Sequence, residues 1–154
     1  MLLFKLLFIF LIFKTYAIRH FSKKLYRTVV TGNLTCKYRS RGAYTLYVME
    51  GSISYNNGRI LTERHLQYGY GILIISSTYS CKKPNMFVKI IHTCSSNKNQ
   101  RHKVFIEEIN KMFIKRVKPY RLLAWQAKFN LGNTELSNYP ALYLSRYMKR
   151  RASE

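Results

Sequence analysis

A chain of 154 residues has room for one domain, and its 47% hydrophobic and 15% aromatic content is enough to bury a core. Lys and Arg number 27 against 6 acidic residues, all of them glutamate, giving a net charge of +21. That balance disfavours cationic partners, favours anionic ones, and leaves few carboxylates for acid–base chemistry. The basic residues are spread along the whole sequence with no block of five or more. A codon preference that enriches Lys, Asn, Ile, Tyr and Phe together would produce the same composition.

Met1 to Ala17 (MLLFKLLFIFLIFKTYA) has Lys5 near its start, an unbroken apolar run from Leu6 to Phe13, and small residues at Thr15 and Ala17. This is the pattern of a secretory signal peptide. The run is shorter than the roughly 20 apolar residues of a membrane-spanning helix. Cleavage after Ala17 would remove Lys5 and Lys14 and leave 25 basic residues and a charge of +19. The competing expectation is an uncleaved anchor, with Leu2 to Phe4 extending the apolar stretch. Residues 18–28 read as a basic N-terminal lead-in, 29–137 as the folded domain, and 138–154 as a basic C-terminal tail.

Within the domain, Leu25–Cys36 and Ala43–Met49 carry β-branched or alternating patterns. Tyr70–Ser76 is a short apolar run, as expected of a strand covered on both faces. Met86–His92 is strongly β. Lys103–Ile109, Met112–Val117 and Ala127–Leu136 complete the expected strands, with Gly132 at a turn-like position. Val117–Trp125 leaves room for one short helix starting at Pro119. Asn56-Asn57-Gly58 is the clearest turn, because Asn and Gly tolerate positive φ. Short strands punctuated by turns point to an all-β sandwich or barrel.

Three stretches, in order, resemble the nematode transthyretin-like family. Thr31-Gly32-Asn33-Leu34-Thr35-Cys36 looks like that family's opening strand ending in Gly-x-Leu-x-Cys. Pro84–Cys94 (PNMFVKIIHTC) is similar to its strand ending in Ile-x-His-x-Cys. Phe129–Leu136 (FNLGNTEL) looks like its closing Tyr-Asp-x-Gly-x-x-x-Leu strand. Tyr70-Gly71-Ile72-Leu73-Ile74 sits where the family has an Asp-Gly-x-Phe segment. The resemblance implies a transthyretin-like β-sandwich of about seven or eight strands, exported and without general enzymatic activity. The chain departs from the family in having three cysteines rather than four, no Asp, and Asn110 where a proline would follow Ile109.

Three cysteines allow three pairs and leave one over. Cys81 and Cys94 flank a strand whose ends lie roughly 20 Å apart, too far for a disulfide unless the loops fold back. Only Cys36 and Cys94 fall on family positions. Cys36–Cys94 is the first choice and Cys36–Cys81 the second. The odd thiol would link two chains or serve as a small core hydrophobe. His92-x-Cys94 places two ligand types on one strand face, but zinc wants about four, and a structural histidine at a strand end is the better account. No metal or cofactor is expected. Asn33-Leu34-Thr35 is a glycosylation sequon.

Glu107 and Glu108 are adjacent, so on a strand they face opposite sides and cannot share a substrate. The C-terminus (RYMKRRASE) lacks the Tyr-Arg-Gly-Ser ending of the related hydroxyisourate hydrolases. The protein is therefore read as a non-enzyme. Lys111, Lys115, Arg116, Lys118 and Arg121 lie among Met112, Phe113, Ile114 and Tyr120, a mixture suited to an anionic lipid or glycan surface. Alternatively Phe113 and Ile114 are core and the cations a solvated edge. The expected function is a secreted, extracellular binding or signalling module that engages a protein or an anionic surface, with a homodimer open. The alternative is a small basic nucleic-acid-binding protein, which the leader argues against.

Overall fold

A computed structural model describes residues 2–21, 23–40, 42–53, 58–96, 102–117 and 128–139. The N-terminal segment forms a helix, α1 (Leu2–Phe21), whose side chains from Phe4 to Lys14 are all exposed. Among the described residues no helix is long and apolar enough to cross a membrane. Among the described residues eight strands follow: β1 (Lys24–Thr35), β2 (Ala43–Glu50), β3 (Arg59–Gln67), β4 (Gly71–Ser80), β5 (Met86–His92), β6 (Lys103–Ile109), β7 (Lys115–Arg116) and β8 (Lys128–Glu135).

They form two four-stranded sheets. In the first, β1 is central. It pairs antiparallel with β4 along one edge, and on the other with β7 (antiparallel) and then β8 (parallel). The second sheet is antiparallel throughout, in the order β3-β2-β5-β6. The protein is thus an all-β sandwich. Alternate residues of each strand point inward, as the period of two requires. The core joins Val30 and Leu34 of β1, Ile72 and Ile74 of β4, Phe129 and Leu131 of β8, and Leu46, Val48, Met86, Val88, Ile90 and Phe105 of the second sheet. Fully burying a side chain of this size stabilises the fold by about 1.5–3 kcal/mol.

Several expectations need correction. The run from Tyr70 to Ser76 is not covered on both faces. β4 is an edge strand in which Ile72, Ile74, Ser76 and Thr78 are buried, while Leu73 and Ile75 are 68% and 58% exposed. β3 was not expected to be a strand. Its sequence (RILTERHLQ) is mostly polar because it runs along the sandwich edge and is largely exposed, so it carries no period-two signal. Met112–Val117 is not one strand: Lys111–Phe113 makes a single 3-10 turn, capped by the Asn110 side chain accepting from the Met112 N–H, before the two-residue β7. The lead-in assigned to 18–28 is helix to Phe21 and strand from Lys24. The tail assigned from 138 starts inside the sandwich, since the Tyr139 ring packs edge-on against Phe105 at 4.8 Å. The helix at Val117–Trp125, apart from Val117, and Asn56-Asn57 of the expected turn lie outside the described residues.

Two edges are tied by polar side chains rather than by backbone pairing. Arg59 of β3 reaches both Glu50 of β2 (2.5 Å) and Thr78 of β4, and Thr78 donates to Glu50 at 2.8 Å. Thr62 donates to Ser76 at 2.9 Å. These contacts explain why the inward row of β4 turns from isoleucine to Ser76 and Thr78.

Gly32 stands at the irregularity where β1 shifts register against β8. Its φ is +152°, and a Cβ there would lie 2.8 Å from the Leu131 Cβ and 3.1 Å from the Gly132 carbonyl oxygen. Backbone on a neighbouring strand cannot give way cheaply. Gly32→Ala is expected to lower unfolding free energy by about 2 kcal/mol or more, read as a reduced urea midpoint.

Candidate functional site

Residues of chemical interest gather at one end of the sandwich. Cys36 follows β1 in the first sheet and Cys94 follows β5 in the second. They form a disulfide with Cα atoms 5.7 Å apart, stapling the two sheets together. This is the first-choice pairing, and the second, Cys36–Cys81, is ruled out. Cys81 lies outside the bond and is exposed rather than buried, which overturns its reading as a small core hydrophobe.

Beside the disulfide, Tyr44, His92 and Lys103 stand directly opposite one another on β2, β5 and β6, on the inner face. All three are buried. The His92 Nδ1 accepts the Cys94 backbone N–H at 3.2 Å, which assigns the ring proton to Nε2. That Nε2 is enclosed without a hydrogen-bond partner among the described residues, as is the Tyr44 hydroxyl. Burial, and then the charge of Lys103, hold the His92 imidazole down to about 4, so it is neutral at physiological pH. Burial, and then neighbouring Tyr68, push Tyr44 up to about 12, and the two rings sit 5.2 Å apart. The acceptor nitrogen of this neutral imidazole is taken by a backbone amide, and the neighbouring sulfur is locked in the disulfide. Among the described residues no group of three or more His, Cys, Asp or Glu could hold a metal ion.

Glu135, at the end of β8, accepts hydrogen bonds from the Thr35 hydroxyl (2.8 Å) and from the backbone N–H groups of Lys37 and Ser137 (3.0 Å each). Burial opposes its charge, but these donors prevail and hold the carboxyl down at about 2. It fastens the β1–β8 pair beside Cys36 and is occupied by structural partners. Glu107 is half-buried and Glu108 exposed, so the two carboxylates do turn to opposite sides, and burial pushes Glu107 up.

The basic segment after β6 divides. Ile114 is fully buried and Phe113 half-buried, its ring packing edge-on against Phe129 at 5.7 Å. Lys111, Met112, Lys115 and Arg116 are exposed. Lys118 and Arg121 lie outside the described residues. The structure therefore brings Lys115 and Arg116 together on β7, against Arg27 and Tyr26 of β1, and removes Phe113 and Ile114 from any surface role. Asn33 is half-buried on β1, opposite Asn133, with its side-chain carbonyl oxygen enclosed. What sequence reading missed is the outer face of β4. Its alternation is legible in hindsight as Leu73, Ile75, Ser77 and Tyr79 against Ile72, Ile74, Ser76 and Thr78, but an unbroken apolar run hides which half faces water.

No protein-family model matches the chain, and no curated protein matches it.

Two outcomes follow from this end of the sandwich. The disulfide closes a 58-residue separation, so Cys36→Ser with Cys94→Ser should lower stability by about 4 kcal/mol, measured by chemical denaturation. His92 titrates near its ordinary 6.5 in the unfolded chain and near 4 in the fold. Between those values the unfolded chain holds the extra proton, so acid favours unfolding. The stability it contributes is complete above pH 6.5 and lost as pH falls towards 4. His92→Gln should flatten that part of a stability–pH curve, while the loss below pH 4.5 that comes from Glu135 persists.

Proposed function

We propose that the protein is a secreted, non-enzymatic binding module of transthyretin-like type that works outside the cell by engaging an anionic surface or an extracellular protein. The observation that carries this reading is positive charge without internal compensation on a rigid, disulfide-stapled sandwich. Six glutamates stand against 27 cations. Of these carboxylates, Glu50 is engaged by Arg59 and Thr78, and Glu135 by hydroxyl and amide donors. The field that remains is available to partners and steers anions to the surface. The three segments that resemble the transthyretin-like family lie on β1, β5 and β8, and the disulfide joins the two cysteines at family positions. A disulfide between sheets suits an oxidising compartment, which agrees with the apolar leader. The burial of His92, Tyr44 and Lys103, with the His92 Nδ1 taken by the Cys94 amide, supports a binding role over a catalytic one.

The test is to recover the protein from the medium of secreting cells, sequence its N-terminus, and measure binding to a heparin column and to anionic and neutral vesicles as salt rises. The expected result is a start at Ile18. Binding should be confined to the anionic matrices and should weaken with salt. Retention inside the cell with Met1 intact, together with tight salt-dependent binding to DNA, would replace this reading with a nucleic-acid-binding one.

A further inference from the structure

The outer face of the first sheet is an ordered grid, because residues paired across strands point the same way. Tyr79 stands opposite Leu25. Ser77 stands opposite Arg27, which in turn stands opposite Lys115. Ile75 stands opposite Val29 and then Lys128, and Leu73 opposite Thr31 and then Asn130. On β4 the large apolar members project into water: Leu73 is 68%, Ile75 58% and Tyr79 65% exposed. Across the sheet lie three cations, Arg27 on the next strand and Lys115 and Lys128 on the strands beyond it, and these rows contain no carboxylate. Lys82 and Lys83, both exposed, follow at the Tyr79 end.

β4 is also unusual as an edge. It runs for ten residues (GILIISSTYS) without a charge or a proline, in a protein with 27 basic residues. Exposed edges normally carry Lys or Pro to prevent pairing, and an apolar patch that lacks them marks a contact surface.

Resting on the reading above, we propose that this face docks flat on an anionic phospholipid bilayer, with Leu73, Ile75 and Tyr79 entering the interface and Arg27, Lys115 and Lys128 meeting phosphate oxygens. The combination selects the occupant. A sulfated glycan would satisfy the cations and leave three large apolar side chains in water. A second copy would cover the apolar side chains but bring its own cations against these, with no carboxylate in these rows to offset them. An anionic bilayer supplies both an apolar layer for Leu and Ile and head-group charge for the cations. Tyr79 suits the boundary because its ring is apolar and its hydroxyl polar. Arg27 is already steered, its Nε donating to the Ser77 hydroxyl at 3.2 Å, which leaves the rest of the guanidinium to bind phosphate.

The test compares the wild-type protein from the medium with the triple variant Leu73→Thr, Ile75→Thr, Tyr79→Thr. Threonine keeps β propensity at positions outside the core, and thermal melting verifies the fold. Flotation with phosphatidylglycerol-containing and pure phosphatidylcholine vesicles is run beside heparin binding. The variant is expected to lose at least about tenfold in affinity for the anionic vesicles and to keep its heparin affinity. A second measurement places a nitrobenzoxadiazole label at Ile75→Cys in a Cys81→Ser background. Its emission should shift to the blue on anionic vesicles and become shielded from an aqueous quencher. Vesicle binding by the triple variant equal to wild type, or a label that stays open to quencher on bound protein, overturns the docking face and leaves the anionic-surface reading standing. Heparin binding without vesicle binding does the same, as does a wild-type dimer that the triple variant dissociates. Failure to bind either matrix removes both.

Discussion

The structure depends on β1. Its inward residues Val30 and Leu34 are fully buried at the centre of the first sheet. One edge is hydrogen-bonded to β4 over ten residue pairs, and the other is divided between β7 and β8. Both rows of its backbone donors and acceptors are therefore used along much of its length, which a central strand requires because unpaired buried amides are costly. The disulfide leaves from the residue just past its end, and Glu135 clamps its last pair from β8. The register shift at Gly32 lets a parallel partner fit alongside, with the glycine admitting Leu131 where a side chain would collide.

Much of this was legible from the residues. The Thr and Val of β1, the MFVKIIH run of β5 and the FNLGNTEL segment of β8 have strong β patterns, and each is a strand. Gly132, at φ +67° with its N–H donating to the Asn130 side chain, is the turn-like position its sequence suggests. Strand position within the sheet was not legible. A strand declares itself by alternation or by an apolar run only where at least one face is buried. β3 is exposed along most of its length, so Arg59, Glu63, Arg64 and His65 carry no pattern at all. β4 fails in the opposite direction: Leu73 and Ile75 are apolar although they face water, so the run imitates a strand buried on both sides. The basic segment after β6 was ambiguous because Phe113 and Ile114 suit a core or a surface equally, and only tertiary packing against Phe129 decides between them.

The two faces of the molecule divide its chemistry. Inside, His92 is kept uncharged by burial and the charge of Lys103, and the Tyr44 phenol is held protonated. Outside, charge is plentiful and mostly of one sign. The sandwich holds this surface in rows about 4.8 Å apart between strands.

The central strand has a consequence for how the chain is made. β1 is the first strand to leave the ribosome, yet its parallel neighbour β8 pairs Val29 with Lys128, near the far end of the sequence. At about 5–20 residues per second, that partner is synthesised several seconds later. Until then β1 has β4 on one side and an open row of amides and carbonyls on the other, in a stretch (TVVTGNLT) rich in β-branched residues. Delivery across a membrane as an unfolded thread would postpone both pairings until the whole polypeptide is on the same side, so the two halves of the sheet could close together. On a sandwich of this topology, passage of the chain across a membrane before folding would thus bear on assembly.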